Sequence, residues 1–433
     1  MHPCLRTTFT VCVLALGMLV FPSCKKNDKS GLIIVSPHPP EIREEFGNGF
    51  EQWYARTTGK SVSVTWLDVG GTGEAIEYVK SRNTGPNPSG GVDIFFGGGV
   101  VPFLKLQGLG LLAPCSVPDS ILARIPMSLN NVQIRDTSGL WFGAALSGFG
   151  IIYNKKIIKN NHMPLPNSWA DLARPEFTGW VASGDPRYSG TIHMMYEIIL
   201  QAFGWEKGWD ILLRMGANIQ TFTKGASQAA KDVSMGQAAL GLSVDFYAYA
   251  EIDRYGAGRL GFILPGKETV VTPDGIGVLK NCANPAYANA FVTYVLSEGQ
   301  KLWLYKKGVD GGPVNAALCR LPVDSALYNI HKEKHAVMIN PFTMPAALVY
   351  DGALTGKRWD ILGDLIAARI IYPHAALKKA VCFTMDISEE EILDLATTWN
   401  KPEHAEKKIR QMNQWTTEAQ RSYDLPCTVK GEQ

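Results

Sequence analysis

A short polar stretch at residues 180–191, WVASGDPRYSGT, carries the side chains best suited to bind a ligand. An apolar strand is predicted to end before Asp185, and Ser189-Gly190-Thr191 is predicted to begin a helix, because Ser and Thr hydroxyls accept the unpaired amide hydrogens of a first turn. Those amides and the positive end of the helix dipole also favour an anion. Arg187 could bind a phosphonate, phosphate or carboxylate with two parallel hydrogen bonds. A plain helix cap and an Arg187–Asp185 ion pair are the alternatives.

Glycine or proline loops follow each of the first three predicted strands. These strands alternate with predicted helices, which is the order expected of a parallel sheet covered by helices. Ligands of such sheets bind beyond the carboxyl ends of the strands. The loops are therefore expected to line a cleft, with ligand contacts from Pro37, His38, Gly71, Thr72 and Gly98.

Four other residues of the chain are further candidate ligand contacts. Asp245 follows a predicted strand and lies beside Tyr247. Its carboxylate, like that of Asp185, could accept a hydrogen bond from an ammonium, hydroxyl or amide group of a ligand. Ser227 begins a predicted helix and offers a hydroxyl. Ser147 lies between two short strands predicted within residues 141–154, a segment apolar enough to cross between two lobes.

Length and composition indicate a globular protein of two domains or lobes. The chain has 433 residues, of which 46% are hydrophobic and 19% are charged, and this length exceeds one ordinary core. The net charge is +2, without a basic stripe interleaved with aromatic residues, so nucleic acid is not an expected partner. The sequence lacks HExxH, GxSxG, GxxxxGK[ST] and metal-spaced Cys/His motifs, and we therefore predict neither enzymatic activity nor a cofactor.

The N-terminus has the pattern of an export signal. Residues 9–21, FTVCVLALGMLVF, form an apolar run that is too short for a membrane span and suits a signal peptide. Pro22-Ser23-Cys24 follows and is similar to the cleavage site of bacterial lipoproteins. We predict a signal peptide at 1–23, a lipid on Cys24 and a linker at 24–30, which gives a membrane-anchored protein in the periplasm or on the cell surface. Simple secretion and an uncleaved anchor are the alternatives.

The exported part contains five more cysteines, an odd number without the CxxC spacing of a zinc site. Free buried thiols are expected for most of them, and one or two disulfides stay open. They are Cys115, Cys282, Cys319, Cys382 and Cys427.

Several segments, taken in order, resemble the extracellular solute-binding proteins of ABC transporters. The segments are LIIVSPHPPEIREEF, GVDIFFGGG, GLWFGAALSGFGIIYNK, NSWADLARPEFTGWVASGDPRYSGT, SMGQAALGLSVDFYA and ILPGKETVVTPDGIGVLKNCANPAYANAFVTYVLSEGQKLW. The resemblance is to the group that includes ferric-ion, phosphonate, thiamine and polyamine binders. It implies an α/β, two-lobed, type II periplasmic-binding-protein-like fold, with mixed, mostly parallel sheets and a hinge of crossing strands. Residues 31–145 and 275–323 are expected to form lobe 1 and residues 146–274 lobe 2, and the helical segment 324–433 is expected to pack on lobe 1.

The resemblance also implies capture of a small ligand by hinge closure and its delivery to a membrane permease with an ATPase. A monomer is expected. The hydroxyls, the helix amides and Arg187 favour a small polar organic anion, such as a phosphonate or a phosphate ester. In ferric binders of this family a His or carboxylate and two adjacent tyrosines hold the metal, so His38, Tyr247 and Tyr249 would hold Fe(III), although Ala248 separates the tyrosines. A structural lipoprotein without a transport role is the second alternative.

Overall fold

The computed structural model of the chain describes residues 31–84, 91–344 and 348–424. The predicted signal peptide, the candidate lipidation site Cys24 and Cys427 lie outside these ranges. Within them, no helix is both long enough and apolar enough to cross a membrane.

Three cysteines, Cys115, Cys282 and Cys319, are free thiols, whereas Cys382 is disulfide-bonded. Burial raises the pKa of Cys115 and of Cys319 to about 12. These two thiols are therefore protonated at neutral pH and are poor nucleophiles.

The strands, in chain order, are β1 (Gly31–Val35), β2 (Ser63–Leu67), β3 (Ile94–Phe96), β4 (Leu112–Ala113), β5 (Ser128–Leu129), β6 (Val132–Gln133), β7 (Phe142–Asn154), β8 (Val181–Gly184), β9 (Ile219–Thr223), β10 (Leu240–Val244), β11 (Leu260–Ile263), β12 (Val271–Leu279) and β13 (Leu321–Pro322).

The helices are α1 (Pro40–Thr58), α2 (Thr72–Thr84), α3 (Val101–Gly108), α4 (Asp119–Leu122), α5 (Lys155–Asn160), α6 (Gly190–Phe203), α7 (Trp205–Asn218), α8 (Ala226–Met235), α9 (Asp245–Tyr255), α10 (Pro285–Val295), α11 (Gln300–Leu304), α12 (Gly352–Ile366), α13 (His374–Leu377), α14 (Glu389–Ala396) and α15 (Ala405–Tyr423). A π-helical turn, Ala367–Ile371, follows α12.

The first lobe is built on the parallel strands β2, β1 and β3, in that spatial order, with β12 antiparallel beside β3. Side chains alternate between the two faces of these strands. Ile34 and Phe96 are therefore part of one buried apolar cluster, whereas Val35 and Phe95 belong to another on the opposite face. Because both of their faces are covered, β1 and β3 are almost wholly apolar.

Strand β7 is continuous and joins the two lobes, whereas the sequence predicted two short strands here. Its first half pairs antiparallel with β12 of the first lobe, and its second half pairs antiparallel with β10 and β11 of the second lobe. Glycine is needed at position 150, because an added Cβ would lie 2.1 Å from the carbonyl oxygen of Ile263. The chain returns to the first lobe between Val270 and Val271, earlier than the predicted boundary at 274/275.

The second lobe has its own sheet, in which β10 and β9 flank β8 in parallel. Helices α6 and α7 supply apolar residues such as Ile198 and Leu212 to the cluster on one face. Helix α8 supplies Ala229 and Val233 to the cluster on the other face. The carboxyl ends of β8 and β10 lead into the starts of α6 and α9.

The segment after Asp324 is divided between the lobes, which corrects the prediction that it packs on lobe 1. Leu327 and Val337 join the apolar cluster of the first lobe. From Leu348 onward the chain packs on the second lobe instead, where Ile361 of α12 and Trp415 of α15 are buried with residues of α6 and α7. Helical periodicity indicated that these helices bury one face, but it contains no information on which lobe covers that face.

A buried ion pair attaches α12 to α6. Arg358 donates from Nε and Nη2 to the two carboxylate oxygens of Glu197, at 3.0 and 2.9 Å, and its Nη1 donates to Glu389 of α14. Arg358 and Glu197 are 1% and 0% exposed. Gln201 of α6 adds a hydrogen bond to the carbonyl of Asp351, which precedes α12. The C-terminal helices are therefore held to the second lobe by charge as well as by apolar contact.

We predict that Arg358→Met lowers the free energy of unfolding by about 3–5 kcal/mol, because Glu197 would remain buried without its counter-charge. Urea denaturation measures the change. Arg410→Met is the matched control, since its pair with Glu406 is exposed on α15, and it should change stability by less than about 1 kcal/mol. Equal losses in the two variants would contradict the structural role of the buried pair.

Candidate functional site

A cavity of about 1190 Å³ lies between the lobes. Most of the predicted contact residues line it: Pro37, His38, Gly71, Thr72, Gly98, Ser147, Arg187, Ser189, Gly190, Thr191 and Tyr247. Asp185, Ser227 and Asp245 do not line it. The cavity therefore brings together the strand-end loops of both lobes, as the sequence predicted.

The first-lobe wall is formed where α2 begins. Thr72 is the first residue of α2, and its side chain lies against the loop of Gly98. Gly98 has φ +86°, and a Cβ there would approach the Thr72 hydroxyl oxygen to 2.9 Å. A glycine is therefore required here for conformation and for space, and the backbone itself lines the cavity.

The second-lobe wall is formed where α6 begins. Ser189 is the N-cap, and its Oγ accepts a hydrogen bond from the amide of Ile192 at 3.3 Å. This confirms the helix start predicted from the sequence. The first amides of a helix have no acceptor within the helix. The amides of Gly190 and Thr191 are therefore free at the end of α6 that lines the cavity.

Arg187 combines both interpretations that the sequence left open, because it lines the cavity and is also paired with Asp185. Its Nε lies 3.0 Å from Oδ1 and 3.2 Å from Oδ2 of Asp185. Nη2 donates to the same carboxylate, and Nη1 donates to the hydroxyl of Tyr372. Asp185 thus acts as the counter-charge that orients the guanidinium, and two N–H groups of Arg187 stay available.

A buried charge network forms the floor of the cavity. Arg320, which is 2% exposed, donates from Nη1 to Asp274 at 2.6 Å and from Nη2 to Ser147 at 2.8 Å. Nε2 of His38 lies 2.7 Å from the same Asp274 carboxylate, and the amide of Gly99 donates to its other oxygen at 2.7 Å. Ser147, on the crossing strand, is thereby tied to the first lobe.

The protonation states of this floor follow from burial and charge. Burial lowers the pKa of His38 more than Asp274 raises it, so the imidazole is neutral at pH 7. Burial alone would raise the pKa of Asp274, but Arg320 and His38 hold it below its usual range. The floor therefore contains one cation and one anion and has no net charge.

Two of the predicted polar contacts serve the backbone or lie elsewhere. The Asp245 carboxylate is fully buried and accepts from the amides of Gly148 and Phe246, at 2.8 and 2.7 Å. Burial raises its pKa to about 7 in spite of these bonds. It therefore connects α9 to the crossing strand and does not reach the cavity. Ser227 lies in the first turn of α8, outside the lining.

The ferric set predicted from the sequence is not brought together. The sequence placed Tyr247 and Tyr249 on a strand end, but both lie in α9, where the directions of residues two apart differ by about 160° around the helix axis. Tyr247 lines the cavity, whereas Tyr249 packs against Phe262 with ring centroids 5.6 Å apart. Burial raises the pKa of both phenols. In the part of the chain that the structure describes, no three His, Cys, Asp or Glu side chains cluster as a metal site.

Sequence reasoning missed Arg320, Asp274, Tyr350 and Trp359, which all line the cavity. Arg320 had a usable signal, since it is a charged residue within the otherwise apolar run ALCRLPV. Tyr350 and Trp359 had no such signal, because they belong to the C-terminal segment, which was expected to pack on the first lobe.

His193 of α6 supports the Trp359 side of the cavity. The two rings are stacked with centroids 3.9 Å apart. Burial lowers the pKa of His193 from 6.5 to about 4, against a weaker raising effect of Glu197. His193 is therefore neutral in the folded protein across the physiological range.

Comparison with known proteins agrees with this architecture. Residues 90–315, more than half of the chain, match the family of bacterial extracellular solute-binding proteins. The chain belongs to this family. Its structure is similar to that of the periplasmic binding protein AfuA from Actinobacillus pleuropneumoniae, with a TM-score of 0.60 and 20% identity over 79% of this chain and 99% of AfuA. That likeness confirms the predicted two-lobed α/β fold.

Two curated relatives are named for different functions. The phosphoglycerate transport regulatory protein PgtC of Salmonella typhimurium is 29% identical over 197 residues, which is 45% of this chain and 46% of PgtC. The chain thus spans about half the length of this relative. Iron uptake protein A1 of Synechocystis is 23% identical over 336 residues, covering 72% of this chain and 87% of that protein.

We predict that stability falls as pH decreases from 6.5 to 4, in part because of His193. The unfolded chain binds a proton on this residue near its ordinary pKa of 6.5, whereas the folded protein does so only near 4. This difference in pKa contributes roughly 3 kcal/mol to the free energy of unfolding. The contribution is fully present above pH 6.5 and is lost as the pH falls from 6.5 to 4. In urea denaturation at several pH values, His193→Phe should keep the ring stack and lose less stability on acidification than the wild type. An identical pH profile in both proteins would contradict this assignment.

Proposed function

We propose that this protein captures a small organic anion, a phosphate ester or a phosphonate, between its two lobes and delivers it to the permease and ATPase of an ABC importer. The observation that carries this proposal is that α2 and α6 begin on opposite walls of one cavity, with Arg187 beside α6. Helix starts offer free amides and a positive dipole end, which suit phosphate oxygens. No covalent step is required.

The charges around the cavity support an anion that binds through N–H groups. Arg320 is neutralised by Asp274, and Arg187 is paired with Asp185. An anion would therefore be attracted chiefly by the helix amides and by the remaining N–H groups of Arg187. Bidentate contact with a guanidinium adds geometric selectivity for phosphate or carboxylate.

The size of the cavity favours an organic solute over a bare ion. Ligand pockets for small organic molecules span about 300–1,000 Å³, and this cavity of about 1190 Å³ slightly exceeds that range. PgtC is named for phosphoglycerate transport, and the AfuA structure contains fructose 6-phosphate. Both names point to phosphate esters. The iron uptake relative supports Fe(III) as the alternative ligand.

Capture would proceed by closure about β7. Ligand contacts with both lobes favour the closed arrangement only by their greater affinity for it. We further propose that Cys24 bears the lipid that keeps the exported protein at the membrane, so that the loaded lobes meet the permease there.

Isothermal titration calorimetry with fructose 6-phosphate, 3-phosphoglycerate, inorganic phosphate and Fe(III) tests the proposal. We expect at least one phosphate ester to bind. Arg187→Gln should weaken that binding about 10- to 100-fold, which corresponds to the free energy of one charge-assisted hydrogen bond. Arg187→Lys keeps the charge but lacks the planar fork, and its loss should be intermediate.

Arg214→Gln is the control for this series, because Arg214 is also an ion-paired arginine of the second lobe but does not line the cavity. Its affinity should equal that of the wild type. Binding of Fe(III) with no phosphate ester bound would favour the ferric alternative. Absence of binding to every probe would favour a structural lipoprotein.

A further inference from the structure

We infer that the C-terminal helical segment, residues 348–424, forms a specificity wall of the ligand cavity and reads the body of the solute rather than its phosphate. The inference rests on the proposed function, and it adds that the solute has a ring-shaped body, a sugar or a heteroaromatic ring. This segment lies outside residues 90–315, which carry the family match. Two of its aromatic residues, Tyr350 and Trp359, nevertheless line the cavity.

Trp359 lies next to the helix start proposed for the anion. A Cβ added at Gly190, the first residue of α6, would be 3.8 Å from Cζ2 of Trp359. One face of the indole is covered by the imidazole of His193. A phosphate on the α6 amides would thus place the atoms bonded to it beside the indole. Among the residues described, Trp359 is the one tryptophan in the lining.

Tyr350 extends this aromatic surface. Its hydroxyl lies 3.5 Å from the sulfur of Met194, which lines the cavity as well. Tyrosine, tryptophan and methionine together form a largely apolar surface beside a polar helix start. Flat aromatic faces pack best against other planar or ring-shaped groups. The combination suits a solute with a charged end and a ring.

The wall is held in place before any ligand binds. Trp359 immediately follows Arg358, whose guanidinium is bound by Glu197 of α6. Thr355, one turn earlier, donates a hydrogen bond to the same carboxylate at 3.1 Å. Tyr372, which follows the π-helical turn after α12, contacts Arg187, with its ring 4.9 Å from the guanidinium carbon. A preorganised surface loses little entropy on binding and therefore contributes more to affinity.

Titration calorimetry of Trp359→Ala with three probes tests the inference. Fructose 6-phosphate carries a ring, 3-phosphoglycerate is acyclic, and inorganic phosphate has no organic group. We expect about a tenfold loss of affinity for fructose 6-phosphate and less than about a twofold change for the other two, because the lost contact is aromatic packing of the ring. Trp359→Phe should retain most of the affinity.

Tyr255→Ala is the matched control, since Tyr255 is a partly exposed aromatic residue of the same lobe that lies outside the lining. Its affinities should be those of the wild type. The fluorescence change on adding fructose 6-phosphate should also disappear in Trp359→Phe and persist in Tyr255→Ala. That readout does not depend on stability.

The outcomes separate this inference from the proposed function. If the wild type binds phosphate esters but Trp359→Ala lowers the affinity for all three probes equally, or for none of them, the inferred specificity wall is wrong. The proposal of anion capture is then unaffected. A wild type that binds only acyclic esters or inorganic phosphate likewise overturns the wall alone. If the wild type binds no probe that contains phosphate, the proposed function itself fails.

Discussion

The structure depends on one strand that belongs to two sheets. β7 pairs with β12 in the first lobe and with β10 and β11 in the second. Every backbone donor and acceptor in such a buried strand needs a partner, so neither lobe can form its sheet without fixing its end of β7. The cavity lies where β7 passes from one sheet to the other, and Ser147 at this point is part of its lining.

Two buried arginines hold neighbouring elements together, one at that crossing and one within the second lobe. Arg320 joins Asp274, His38 and Ser147 at the cavity floor, and it also lies 4.3 Å from the ring of Phe246 in the second lobe. Arg358 joins α12 to α6. Each cation has a carboxylate partner, as burial of a charge demands. Both therefore serve to position neighbouring groups, and in the proposed function the attraction for an anion comes from the helix amides and Arg187.

The C-terminal segment changes what the second lobe presents to a ligand. A two-lobed binding protein needs only two walls, one from each lobe. Here α12 places Trp359 beside the first residue of α6, and Tyr372 orients Arg187. Residues of the helical segment that lies outside the family match therefore line the cavity between the lobes.

Local patterns in the sequence determined much of the cavity. Ser189 was recognisable as a helix start, and the alternation of predicted strands with predicted helices indicated a parallel sheet covered by helices, because capping and periodicity are local properties. Only the tertiary structure decided how distant residues meet. Asp245 was assigned to the ligand but accepts a hydrogen bond from the amide of Gly148. Tyr249 does not line the cavity, because residues 245–255 form α9 and not a strand end. Trp359 lines the cavity but belongs to a segment that was placed on the wrong lobe. The outcomes for Asp245 and Trp359 depend on contacts between residues 97 or more positions apart, and no local spacing encodes such contacts.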